Sequence, residues 1–490
     1  MGITARMIKN YLSGKNLPFW LFTFSVAIIL TIPKLIQDGM FLDGMLYTCV
    51  SHNLGNGIGT FWSPEYSPSY FNAGSHFFHE HPPLVFGIQS LFFRIFGNSM
   101  YVERFYILLT LFISAFLIKH LWKSIFRNDQ NLKSISWLPV FFWITIPSCS
   151  WSYSNNMMEN TMGIFTLCAV IFIYKSVESE KNETGTLLIS GLFIFLATMS
   201  KGVPGFFPVA VPFIYWIVFR KKTLLKTIFQ TLIILSVPVL LYFLLFHVPQ
   251  SQENLTFYIT KRLLSRISDA PTVVNRFYII KRLFTELLPQ VLFTLLIISV
   301  TKLRKKGSSL TGNIRLSIFF FSTGLAASAP LALTMVQRGF YLVPSFPYFA
   351  FGFSILTASI IFNFREKICS NPEKYNVFLI LSVILFVSAM SFSVMQKGKT
   401  VRDRDMLHDV YAIGNTIPVK SEITINHDIA NTYVLECYFI RYFNISLFID
   451  TPKNYLMIKK TDGTVISNDF EKLNIDTKIY DIYKLKSDHS

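Results

Sequence analysis

The chain has 490 residues, 52% of them hydrophobic and only 15% charged, with a formal net charge of +17 and a mean hydropathy of +0.44. Soluble domains carry about 25% charged residues, so this composition excludes a soluble globular protein and defines a polytopic membrane protein, mostly α-helical. In such a chain the surplus of lysine and arginine belongs to basic cytoplasmic loops rather than to a nucleic-acid surface, and the five isolated cysteines, without CxxC spacing, indicate neither a disulfide framework nor a zinc site.

The first apolar run, LPFWLFTFSVAIILTIPKLI at 17–36, follows Arg6, Lys9 and Lys15. It has the roughly 20 residues that a helix needs to cross the hydrocarbon and no small-residue cleavage site, so it reads as a retained membrane helix with a cytoplasmic N-terminus. Residues 37–82 then lie outside, and they contain no lysine or arginine. The apolar piece at 83–97 is short and carries Arg94 and Gly97. If it crossed and 101–118 returned, Lys119, Lys123, Arg127 and Lys133 would lie outside, against the charge rule. It is therefore expected to stay on the outer side as a juxtamembrane or re-entrant helix packed on protein. Beyond it, basic inner loops alternate with outer turns at 150–161, 200–205, 247–288 and 334–341, which gives about 11 to 13 membrane helices and an outer C-terminus.

Composition shifts at Gln396. SEITIN, NISLFID, YLMIKKTDGTVI and KIYDIYKL read as short strands, KTDGT as a turn, and DIANTYVLECYFIRYF as a helix. Two domains are expected: a membrane domain at 1–395 and a small extramembrane α/β domain at 396–490. Within the first, 37–100 forms an outer loop with juxtamembrane helices and 247–288 an outer amphipathic basic segment.

Chemistry-bearing residues gather in the outer segments. Asp43, in FLDGMLY, either caps the helix that follows or serves as a general base toward a hydroxyl. Glu80 and His81 precede two prolines in HEHPPL, which start a helix at its first turn; they cap it or line a pocket. His52, His76, His79 and His81 share the loop with Asp43, Glu65 and Glu80, so a divalent cation is compatible with it, although the spacing matches no standard zinc pattern. Glu159 sits at the start of a crossing helix, where an acid either faces a cavity or complements the helix dipole. Lys201, in SKGVPG, snorkels or faces the same cavity. The segment YITKRLLSRISDAPTVVNRFYIIKRLF carries Lys261, Arg262, Arg266, Arg276, Lys281 and Arg282 among apolar residues, as an interfacial helix on anionic headgroups or as a phosphate holder. Arg338 and Tyr341 stand at the mouth of a proline-punctuated helix in QRGFYLVPSFPYFA.

In this order, LDGMLY, HEHPPL, NNMMEN, SKG and RGFYLVPSFP over about residues 15–395 resemble the GT-C membrane glycosyltransferases, specifically the family 39 and aminoarabinose transferase-like group that includes the protein O-mannosyltransferases. The resemblance implies that Asp43 is the catalytic base and Glu159 a second acid near acceptor or sugar. It implies that Glu80 and His81 line the donor pocket, and that Lys261, Arg262 or Arg266, with Arg338 and Tyr341, face a lipid phosphate. Lys201 belongs to the same substrate-binding set. One departure stands out: the family often has Asp-Glu where this chain has Asp43-Gly44.

The implied reaction moves a sugar from a polyprenyl-phosphate donor to a hydroxyl of a lipid, glycan or protein acceptor at the outer face of the plasma (inner) membrane. Membrane lipids are partners and nucleic acid is not; no cofactor is required, because cations can carry the leaving phosphate. A transporter or flippase of lipid-linked glycans is the alternative, which paired midplane acids and broken helices would favour.

Overall fold

The structure is a computed structural model that describes residues 14–70, 74–178, 183–265, 271–303, 313–462 and 466–486. Among the described residues, nine helices are long and apolar enough to cross a bilayer: Leu17–Ile36, Val102–Ile125, Met158–Glu178, Glu183–Lys201, Leu224–Leu245, Tyr278–Val300, Ile314–Leu333, Gly339–Cys369 and Pro372–Val394. Two further apolar segments are interrupted. One is split at Pro147 into Leu138–Ile144 and Pro147–Ser152, and the other runs as a 3-10 turn, Val203–Ala210, into Val211–Phe219. Proline inside an apolar run removes a helical hydrogen bond and breaks the rod there, which is why these segments are not single long helices.

Aromatic side chains fill the bundle. Trp122 stacks on Phe351, which stacks on Phe320 with ring centroids 4.8 Å apart. The outward sides of Leu224–Leu245 and Pro372–Val394 are apolar and exposed. At one end of the bundle Lys15 and Arg365 meet Glu366, and Lys221 and Lys226 meet Glu178 and Glu183. The opposite end carries the first loop, the basic segment and the C-terminal domain.

The 83–97 piece forms a 13-residue helix, Leu84–Phe96, too short to span. It is amphipathic: Val85, Phe86 and Phe93 are buried, Leu91, Ile95 and Phe96 exposed. It lies against the loop helix Leu42–Gly55, close enough that a Cβ on Gly55 would crowd Phe93.

Past Val394 the chain builds a five-stranded sheet in the order β2-β1-β3-β5-β4, from β1 (Glu422–Ile425), β2 (Ser446–Ile449), β3 (Tyr455–Lys459), β4 (Phe470–Lys472) and β5 (Tyr480–Leu485). β1 runs parallel to β2 and β3, and β5 antiparallel to β3 and β4. The single helix expected over 428–443 is broken at Asn431–Thr432 into His427–Ala430 and Tyr433–Phe443. A further helix, Arg404–Gly414, and strand β4 were not expected from the sequence. The KTDGT turn lies partly outside the described residues.

The C-terminal domain does not keep a core to itself. Met40, Met45, Cys49 and Val50 of the first loop share one hydrophobic cluster with Leu407, Val410, Tyr438 and Phe439. A buried polar network locks the same interface. Arg441 pairs with Glu103 at 2.8 Å, Glu103 with Arg104 at 2.9 Å, and Asp38 accepts hydrogen bonds from Tyr411 at 2.7 Å and Tyr442 at 2.9 Å. Glu436 accepts from Ser67 and Ser69 of the loop. Breaking a buried pair leaves an uncompensated charge and costs about 3–5 kcal/mol, whereas a surface pair is worth about 0–1 kcal/mol. Glu103→Gln is therefore expected to lower the melting temperature strongly and to expose the chain after Gln396 to protease. Glu422→Gln, which breaks the surface pair with Lys453, should do neither; equal effects of the two in thermal unfolding and limited proteolysis would contradict the clamp.

Candidate active site

The loop helix starts at Phe41, whose N–H donates to the Asn155 side chain at 3.1 Å. Asp43 lies in its first turn and Tyr47 one turn later on the same face. Gly44 faces the turn around Asn155 so closely that a Cβ there would overlap the Asn155 carbonyl. That contact explains the departure from Asp-Glu: a second acid at this position would push the two segments apart. Asn156 completes the join, donating to Thr48 at 2.7 Å and accepting from Gln89 at 3.0 Å. With the two segments fastened, Glu159 comes near enough to Asp43 for their charges to interact.

Glu159 is buried, and Lys201 reaches it at 2.7 Å from the end of Glu183–Lys201. The ammonium lies 5.3 Å from the ring centroid of Tyr341, 5.4 Å from Tyr47 and 5.7 Å from Phe340. Such an aromatic enclosure holds a cation by its ring quadrupoles where water is scarce. The other carboxylate oxygen of Glu159 has no hydrogen-bond partner from another described residue, so it is available to accept from a hydroxyl. Gly202 permits the sharp turn after Lys201: its φ is +88°, and a Cβ would overlap the Tyr258 hydroxyl.

On one flank, the Tyr47 hydroxyl meets His81 Nε2 at 3.3 Å. The neighbouring Glu80 accepts from Tyr70 at 2.9 Å and forms an ion pair with Arg262, on the π-helical turn Tyr258–Leu264. His79 packs on Phe257, and burial lowers its pKa; burial and then the Arg441 charge lower that of His52 to about 4. Both imidazoles are therefore neutral at physiological pH.

On the other flank, a cavity of about 750 Å³ is lined by Phe41, Trp151, Lys281, Arg338 and Phe340, among others. Phe41 and Trp151 meet edge to face at 5.0 Å, and Trp151 stacks on Phe340 at 5.7 Å. The cationic side is rigid. Gln337 accepts from Ile279 N–H at 2.8 Å and donates to the Arg276 carbonyl at 2.8 Å, while Arg282 is held by Glu286 at 2.6 Å. Phe340 touches both the Lys201 enclosure and this cavity, so the two adjoin.

Asp43, Glu159, Lys201 and Tyr341 thus come together, with Glu80, His81 and Arg262 beside them and Arg338 in the adjoining cavity. Lys261 is exposed and makes no ion pair among the described residues, and Arg266 lies outside them. Lys281, from the same basic segment, takes the position beside Arg338. Tyr47 and Phe340 carried no sequence-level assignment, although the i,i+4 spacing of Asp43 and Tyr47 puts both on one helix face. Among the described residues no group of three or more metal-ligating side chains converges. The loop histidines turn instead to Asn56, Phe257 and Tyr47.

The sequence profile of the dolichyl-phosphate-mannose-protein mannosyltransferase family matches residues 80–247, which include Glu80, Glu159 and Lys201. No curated protein sequence matches at a significant level. Among solved structures, ArnT from Cupriavidus metallidurans bound to undecaprenyl phosphate aligns with a TM-score of 0.62 at 12% identity, over 88% of this chain and 85% of that one. The archaeal oligosaccharyltransferase AglB from Archaeoglobus fulgidus, in complex with an inhibitory peptide and a dolichol-phosphate, aligns with a TM-score of 0.50 at 10% identity, over 86% of this chain and 63% of that one. The Archaeoglobus fulgidus oligosaccharyltransferase in the apo form gives 0.54 at 10% identity, over 92% and 70%. The chain has the GT-C fold, that of integral-membrane glycosyltransferases.

The Lys201–Glu159 pair makes a sharp prediction, because a buried carboxylate that loses its cation costs about 3–5 kcal/mol. Lys201→Met should destabilise the purified protein by about that amount, and adding Glu159→Gln should recover most of the loss in thermal unfolding. A Lys201→Met protein as stable as wild type would contradict the pairing.

Proposed function

We propose that the protein transfers a sugar from a polyprenyl-phosphate donor to an acceptor hydroxyl at the outer face of the plasma membrane, with Asp43 as general base. The observation that carries this reading is the convergence of Asp43 and Glu159 at Lys201, next to a cavity that presents Lys281 and Arg338. An acid positioned for proton transfer beside two cations positioned for a phosphate is what displacement of a phosphate leaving group needs.

In this mechanism the acceptor O–H gives its proton to Asp43 as its oxygen attacks the anomeric carbon. The bond from that carbon to the phosphate oxygen breaks on the opposite side, so configuration inverts. The departing polyprenyl phosphate carries the bonding electrons and meets Lys281 and Arg338, whose planar guanidinium suits phosphate oxygens. Glu159 accepts a hydrogen bond from a hydroxyl of sugar or acceptor, and Lys201 orients it. Glu80, His81 and Arg262 close the opposite wall.

The structural relatives support the donor class: one is bound to undecaprenyl phosphate and another to a dolichol-phosphate. Orientation follows from charge. The end of the bundle opposite the site carries the basic loops at Arg220–Lys222 and Arg365–Lys367, which the positive-inside rule assigns to the cytoplasm. The site and the C-terminal domain then face the periplasm or exterior.

Purified protein given a polyprenyl-phosphate sugar and an acceptor should release free polyprenyl phosphate, whereas a flippase would move the donor uncleaved. General-base catalysis contributes about 10²–10⁴-fold, so Asp43→Asn should slow release by about that factor with donor affinity unchanged. A variant with near-wild-type turnover would remove Asp43 from the mechanism.

A further inference from the structure

The last membrane helix ends at Val394, and the chain enters the C-terminal domain through QKGKTVRDR, which places Lys397, Lys399, Arg402 and Arg404 within a few residues. This linker is pinned rather than loose. The Asp38 N–H donates to the Lys399 carbonyl at 2.9 Å, and Asp38 and Thr400 form a parallel bridge. Beneath it lies a second cavity, of about 610 Å³, bounded by Lys399, Val401, Arg404, Leu407, His408 and Lys478. Its lining is distinct from that of the cavity beside Arg338.

Three permanent cations bound this space, against a single acid in its lining, Asp405. Lys399 and Arg404 make no ion pair among the described residues, and Lys478 pairs with the exposed Asp476 at 3.5 Å. His408 stands between Asp409 at 3.4 Å and Asp476 at 3.9 Å. Two apolar side chains of the same stretch are open to the surroundings, Met395 at 66% and Val401 at 70% exposure. Cations above exposed aliphatic side chains, at the end of a membrane helix, match a molecule whose phosphate lies at the bilayer surface and whose chains lie below it.

We infer that this junction cavity is a phosphate-ester site occupied by the headgroup of an anionic membrane phospholipid, separate from the site of sugar transfer. The volume falls within the roughly 300–1,000 Å³ of small-molecule sites, and the pinned linker holds the cations in place before the lipid arrives. The inference does not depend on the sugar-transfer reading.

Full-length protein incubated with phosphatidylglycerol or phosphatidylcholine and examined by native mass spectrometry tests it. Wild type should retain phosphatidylglycerol in preference, and Lys399→Gln/Arg404→Gln should lower that retention about tenfold at an unchanged melting temperature. Both side chains are exposed; should the double variant unfold, Lys478→Gln alone should show a smaller loss in the same direction. Equal retention of the two lipids, or undiminished phosphatidylglycerol on the folded variant, would overturn the proposal. A parallel titration with inorganic phosphate separates the sources: saturable binding that the variant loses, without lipid retention, would assign the cavity to free phosphate and overturn the lipid.

Discussion

A lysine ammonium and a glutamate carboxylate buried near one end of a helix bundle have to find each other, because neither can stay charged alone where water is excluded. The pairing of Lys201 with Glu159 ties the end of one membrane helix to the start of another. It also draws in three aromatic rings from two further segments, the first loop and the turn around Phe340. Asp43 reaches this centre only because Gly44 lets the turn around Asn155 lie directly on the loop helix. Asp43, Glu159 and Lys201 are thereby gathered between Arg262 on one flank and Lys281 and Arg338 on the other.

The C-terminal domain is part of that arrangement. The Tyr438 hydroxyl is 3.1 Å from the Met40 N–H and 2.9 Å from Asp403, so the domain grips the backbone three residues before Asp43. Arg441 and Glu103 add a fully buried ion pair to the same joint, and loop and domain share one hydrophobic cluster. The apolar residues of the first loop complete their core against the sheet domain.

Much of this was legible in the sequence. Runs of about 20 apolar residues mark the long spans, and the lysine and arginine distribution kept 83–97 out of the count of crossings where hydropathy alone would have included it. The acids of the outer loops stood out because charge is costly at such positions. What was not legible is long-range or irregular. Nothing local to Arg441 announces Glu103, 338 residues away. The helix at 404–414 was legible in principle from Leu407, Val410 and Ile413 at helical spacing, but its charged residues masked the pattern. Lys281, which lines the cavity beside Arg338, was not singled out, because periodicity does not carry from the π-helical turn Tyr258–Leu264 across the non-helical residues 271–277 into the helix from Tyr278.

The proposed phosphate site lies between Lys281 and Arg338, next to the Lys201 enclosure. Locating the phosphate directly, in an electron cryomicroscopy map of the full-length protein with undecaprenyl phosphate, is the most direct measurement. The account predicts phosphate density within hydrogen-bond reach of Lys281 and Arg338, beside Phe340. Density confined to the exposed Lys261 side, or to the basic loops at the opposite end of the bundle, would contradict it.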